Sequence, residues 1–135
     1  MSVRHETIAV ATKRREETID ITPRLKAVVT HAKIAEGVVV VTVAHTTAAV
    51  FVNENADPDV QRDLLTALER VVPRDAQYEH AEGNGAAHIK AVLIGNSVTL
   101  VIRDGAIALG TWQGVYFAEL DGPRERIATI TVIGD

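Results

Sequence analysis

Val38-Val39-Val40-Val41-Thr42-Val43-Ala44-His45-Thr46-Thr47-Ala48-Ala49-Val50-Phe51-Val52 is the stretch whose reading decides the fold. Residues 38–45 are β-branched at nearly every position, which suits a pleated strand better than a helix. A strand apolar on both sides needs cover on both faces, so it is expected in the middle of a sheet or at a subunit contact. The run breaks at His45-Thr46-Thr47, and Ala48 to Val52 then resumes a strand that finishes in Asn53-Glu54-Asn55. Thr46-Thr47 is expected to be a bulge or kink, a device that re-aims a side chain beside a site.

Upstream, Val3 to Thr12 reads as a half-buried strand, and Thr18 to Ile21 as its returning hairpin partner after the charged turn Lys13 to Glu17. Thr22-Pro23 starts a helix with threonine as N-cap and Leu25, Val28, Val29 and Ala32 on one face; Gly37 stops it. Downstream, Asp57-Pro58 opens a second helix with the stripe Val60, Leu64, Leu68 and Val71, closed by Pro73. Ile89 to Ile94 fits either a short helix or a buried strand, and the helix is the reading preferred. Strands follow at 98–102, 107–109, 115–120 and 127–133, with Asp104-Gly105 and Asp121-Gly122-Pro123-Arg124 as turns. Mostly antiparallel strands with interleaved amphipathic helices make an α+β fold with two to three helices.

The 135 residues contain no linker-like or low-complexity stretch, so one domain over 1–135 is expected. Hydrophobic residues at 47% and charged residues at 24% allow an ordinary core. A net charge of −4 with scattered Lys and Arg argues against a nucleic-acid or anionic-membrane partner. Without cysteine, any metal must be held by His, Asp, Glu, carbonyls or water. No signal-peptide-like or membrane-spanning run is present, and a cytoplasmic location is the default expectation.

The chemistry concentrates in Tyr78-Glu79-His80-Ala81-Glu82-Gly83-Asn84-Gly85-Ala86-Ala87-His88-Ile89-Lys90. Imidazole and carboxylate together hold metals or move protons, and glycines let backbone N–H groups approach an anion. His5 and His31 fit a surface role. His45, His80 and His88 sit at the ends of apolar segments beside Thr46, Glu82 and Lys90, and none follows from packing. Asp57 reads as a helix cap and Asn55 as a turn residue, whereas Glu54 is a candidate base. Gly83-Asn84-Gly85 is either a tight connection or a set of phosphate donors at a helix start. Trp112 is expected to be a core ring with Gln113 beside it, while Gly110 and Gly114 on either side permit close approach by a ligand or another subunit. Asp121, Arg124 and Arg126 read as surface ion pairs around a turn, and Arg124 can equally bind phosphate.

These motifs together resemble the YjbQ-like family, often labelled secondary thiamine-phosphate synthase. The residues that carry the resemblance are His45-Thr46-Thr47-Ala48-Ala49, Asn53-Glu54-Asn55 with Asp57-Pro58-Asp59-Val60, Tyr78-x-His80, Gly83-Asn84 with Ala87-His88-Ile89-Lys90, Leu109 to Gly114, and Glu119-x-Asp121-Gly122-Pro123-Arg124. Leu100-Val101-Ile102 departs from the family's Ile-Pro-Val. The resemblance implies two packed sheets, a homotrimer that would cover the second face of Val38 to Val43, and a histidine pocket able to hold a metal. The implied activity joins a pyrimidine diphosphate to a thiazole phosphate with release of pyrophosphate.

The expectation that follows is a metal-assisted enzyme acting on a small phosphorylated substrate. His45, His80 and His88 would hold a divalent ion, zinc or magnesium, with Glu54, Glu82 and Lys90 as catalytic groups. Thr46, Asn84, Gly85, Gln113 and Arg124 would bind substrate, Lys90 and Arg124 neutralising phosphate. The alternative is a non-catalytic trimer that binds or senses a phosphorylated metabolite. A purely structural trimer with chance histidines is the third reading.

Overall fold

In the computed structural model, which describes residues 1–135, the valine run becomes β3 (Gly37–Thr42), hydrogen-bonded antiparallel on both sides. Its neighbours are β5 (Ser97–Arg103) and β8 (Glu125–Gly134); β1 (Ser2–Ala11) and β6 (Ala106–Ile107) complete a five-stranded sheet in the order β1-β8-β3-β5-β6. Val39 and Val41 are fully buried with Ile8, Val10, Ile130 and Val132 on the inner face. The opposite face is less covered than the sequence suggests. There the register lines up Val3, Ile133, Val38 and Val101 in one apolar row, with Val3 and Val101 exposed.

The second sheet is β2 (Glu17–Asp20), β7 (Gln113–Glu119) and β4 (Ala48–Glu54), in the order β2-β7-β4. Val50, Val115 and Phe117 meet the first sheet's inner face, and Leu25, Val28 and Val29 of α1 (Thr22–Ala32) fill the same core. β2 therefore does not return along β1. Its Ile19 pairs with Phe117, because the turn at 13–16 carries the chain from one sheet to the other. The break at residues 43–47 does the same between β3 and β4, so the expected kink is a sheet-changing bend.

Thr22 is the first residue of α1 and not its cap. Asp20 Oδ1 accepts the Thr22 N–H, while the Thr22 hydroxyl accepts the Val115 N–H at 2.8 Å and ties the helix to β7. The helix ends at Ala32 through Lys33 in the left-handed region, ahead of Gly37. α2 (Pro58–Val71) is capped by Asp57 as expected, but no residue of it is fully buried. α3 (Gly85–Ile94) begins four residues before the expected start, burying Ala86, Ala87, Lys90 and Ala91 and leaving Ile89, Val92 and Leu93 exposed. No helix is long and apolar enough to cross a membrane.

Candidate functional site

The 43–47 bend faces the last turns of α3. Val43 N–H donates to Asn96 O, which closes the bend onto the loop after α3. Between them lies a cavity of about 460 Å³ lined by His45, Thr46, Ala48, His88, Ala91, Val92, Gly95 and Asn96. His88, Ala91, Val92 and Gly95 recur at the i, i+3, i+4, i+7 spacing of one helix face, so α3 supplies a wall. No Lys, Arg, Asp or Glu lines the space. Gly95 is the C-cap of α3, so the negative end of the helix dipole borders the cavity.

His45 is held by geometry that assigns its protons. Its Nε2 accepts the Ile127 N–H at 3.0 Å, so that nitrogen keeps a lone pair and the neutral ring carries its proton on Nδ1. Burial first, and the Arg126 guanidinium second, hold its pKa below the usual histidine value. Such a ring offers an N–H donor at neutral pH. His88, on the opposite wall, meets the His80 ring edge-on with centroids 5.0 Å apart. His80 Nε2 in turn lies 3.7 Å from Glu82 Oε2, and both side chains are largely exposed.

The three histidines therefore form a pair, His80 and His88, plus His45 across the cavity. No three His, Asp or Glu side chains of the chain are arranged to hold an ion. With Nε2 engaged and Nδ1 protonated, His45 also has no free lone pair. The donor set of one chain does not fit the three-histidine ion site.

Lys90 projects from the side of α3 roughly opposite the cavity face. It is 1% exposed, and its Nζ donates to Glu16 Oε2 at 2.7 Å and Glu69 Oε1 at 2.8 Å. Burial alone would lower its pKa, but the two carboxylates outweigh that and raise it. Arg124 is likewise occupied, bonding Asp121 through Nη2 and the Asp121 carbonyl through Nε. Asn84 donates to the same carboxylate at 2.8 Å, while its Oδ1 is buried without a partner. Burial opposes ionisation of Asp121, but the bonds from Asn84 and Arg124 hold its pKa below the usual carboxylate value. Gly85 packs under Tyr78, where an added Cβ would stand 2.8 Å from the Tyr78 side chain.

Glu54 and Gln113 face each other at one end of the β4–β7 pair, whereas Ala48 meets Glu119 at the other. Six residues at about 3.4 Å per residue put roughly 20 Å between these ends. Glu54 accepts the Asp57 N–H and Gln113 Oε1 accepts the Gly110 N–H, so both serve turns. Trp112 is 64% exposed and not in the core; the loop from Gly110 turns its ring outward.

The sequence reading placed Arg126 in surface ion pairs and gave Glu119, outside its motif, and Asn96 no role. Glu119 is fully buried and Arg126 is 5% exposed, so Arg126 is no surface residue. The available signal was a lone carboxylate inside the apolar run Val115 to Leu120. Asn96 gave no signal beyond a turn.

Residues 6–135 match the family model described as UPF0047 protein YjbQ-like. The chain is 46% identical over 126 residues to a UPF0047 protein of Methanocaldococcus jannaschii, covering 93% of this chain and 91% of that one. It is 42% identical to the UPF0047 protein YugU of Bacillus subtilis over 130 residues, covering 96% and 98%. A crystal structure from Sulfolobus solfataricus, described as a YbjQ-like protein of unknown function, superposes with a TM-score of 0.96 at 33% identity over 99% of each chain.

These relatives carry a family designation and, for the solved one, unknown function, which overturns the expected thiamine-phosphate synthase activity. The phosphorylated-metabolite sensor falls with it. The structure gives the physical reason: Lys90 and Arg124 are already neutralised by carboxylates, and the cavity has no fixed cation to replace the hydration of a phosphate.

Proposed function

The chain belongs to the UPF0047 YjbQ-like family, and from the cavity's geometry we propose that it binds a small polar molecule lacking a phosphate and polarises it through the His45 and His88 imidazoles. One observation carries this reading: His45 gives its Nε2 lone pair to the Ile127 N–H in a cavity with no charged side chain, so the groups on offer are an N–H donor, a hydroxyl, an amide and a second imidazole. An uncharged carbonyl or amide finds partners there without dehydrating a net charge. His45 Nδ1–H would donate to the ligand oxygen, His88 would hydrogen-bond the ligand from the opposite wall, and Thr46 and Asn96 would orient it. Ala48, Ala91 and Val92 supply the apolar wall.

The assembly is part of the same reading. The row Val3, Ile133, Val38 and Val101 is the surface assigned to homotrimer contacts, since it is apolar and outside the core. A cysteine-free chain with no membrane-spanning helix supports a place in the cytoplasm.

The test is NMR titration of labelled protein with acetamide and, separately, with inorganic phosphate and pyrophosphate. Shifts at His45, Thr46, His88 and Asn96 with acetamide, and none there with the phosphates, are expected. The reverse pattern refutes the reading.

A further inference from the structure

The bend that carries His45 is tied down by a charged pair that nothing in the family designation mentions. Glu119 Oε1 accepts from the Thr12 hydroxyl at 2.7 Å and from Arg126 Nε at 2.9 Å. Its Oε2 accepts from Arg126 Nη2 and from the Leu120 and Asp121 N–H groups. Arg126 Nη2 also donates to the Thr47 hydroxyl at 2.9 Å and the Thr47 carbonyl at 3.3 Å. The guanidinium thus reaches from a fully satisfied carboxylate to the backbone two residues after His45. The residue after Arg126 is Ile127, whose N–H docks on His45 Nε2.

We infer that the buried Glu119–Arg126 pair is a positioning device for His45, fixing through Thr47 and Ile127 both the backbone that bears the imidazole and the amide that sets its tautomer.

Three observations favour this over a purely structural role. β8 does not need the pair for its register, because a ten-residue ladder with β1 already pairs Val10 with Arg126 and Ala9 with Ile127. The segment that lacks a ladder is the 43–47 bend, whose remaining backbone ties are the bond from Val43 to Asn96 and the bond from Leu120 to Thr47. Finally, a buried ion pair is a poor source of net stability, since well-packed apolar side chains often do as well, whereas its directed bonds define geometry. The inference rests on the proposed use of His45 toward a ligand.

The experiment uses the intact protein and the double variant Glu119→Leu/Arg126→Leu, which removes both charges together. Thr12→Val, which loses a Glu119 contact on the side away from the bend, is the control. The readouts are thermal unfolding, the ¹⁵N shifts of the His45 ring, and acetamide affinity by NMR. In the wild type and Thr12→Val the ring is expected as a single Nδ1–H tautomer. In the double variant, cooperative unfolding persists while the ring nitrogens shift toward tautomer averaging and acetamide binds about tenfold more weakly.

An unchanged tautomer and unchanged affinity in a folded double variant overturn the inference. If that variant does not fold, Thr47→Val carries the same test: movement of the His45 shifts supports the inference and identity with wild type overturns it. If the tautomer scrambles but acetamide binds neither protein, the positioning role stands and the proposed ligand class fails.

Discussion

Lys90→Met should behave as a structural lesion and leave the His45–His88 cavity intact. Methionine replaces most of the lysine stem, so little cavity opens, and the loss is that of two charge-assisted bonds at 2.7 and 2.8 Å. Removing one member of a fully buried pair costs about 3–5 kcal/mol because the other charge is stranded. Here the partners can partly rehydrate, Glu16 being 25% and Glu69 45% exposed. That reduces the expected loss to about 2–3 kcal/mol. For a chain of this length it lowers the melting temperature by roughly 8–12 °C. The effect should be uneven, because α2 has no fully buried residue and Glu69 is its charged tether to α3. Hydrogen exchange should therefore accelerate first in residues 58–71. Glu69→Gln, at an exposed partner that keeps a hydrogen-bonding oxygen, should cost less than about 1 kcal/mol. A Lys90→Met protein that melts within 2 °C of wild type, judged against about 4 °C per kcal/mol, with α2 protection unchanged, refutes the clamp.

The remaining expectations concern pH, packing and assembly. The folded pKa of His45 lies below its unfolded value of 6.5, so unfolded protein binds the proton more readily. Its contribution is present above that value and lost as pH falls below it; chemical denaturation across this range should show a step that His45→Gln removes. Glu119 and Asp121, also lowered despite burial because of their hydrogen bonds, should add a second loss further into acid. Lys90 has the opposite sign: its contribution is full below 10.5 and fades as pH rises through its raised folded value. Gly85→Ala presses a methyl onto Tyr78 and should destabilise by about 1–3 kcal/mol in thermal melts, with no change meaning that Tyr78 yields freely. Val101→Asp on the exposed apolar row should shift the light-scattering mass toward monomer while far-UV circular dichroism stays native. An unchanged assembly mass removes that row from the interface.

How much of this was legible in the sequence depends on how far the deciding partner lies along the chain. The valine run announced β3 because β-branching acts on the residue itself, and Asp57-Pro58 announced α2 because a cap acts two residues away. The sheet that each strand joins is a different matter. Thr18 to Ile21 has a good turn before it, but its partner at 113–119 lies about a hundred positions on, and that pairing overrode the local hairpin signal. The start of α3 was hidden because Gly85-Ala86-Ala87 has neither apolar bulk nor a capping hydrogen bond to mark it.

Lys90 was read as chemistry from its proximity to His88. Its role is set by Glu69, 21 positions back, and Glu16, 74 positions back. His45 stood out in the sequence as a residue unexplained by its own segment, and its tautomer comes from an amide 82 positions away. The carboxylate that secures that arrangement was the readable clue, because an ionised group near the end of the apolar run Val115 to Leu120 is too expensive to bury unless a cation meets it. Asking which arginine could answer Glu119 leads to Arg126, and from Arg126 the bonded contacts run directly to Thr47 and the His45 bend.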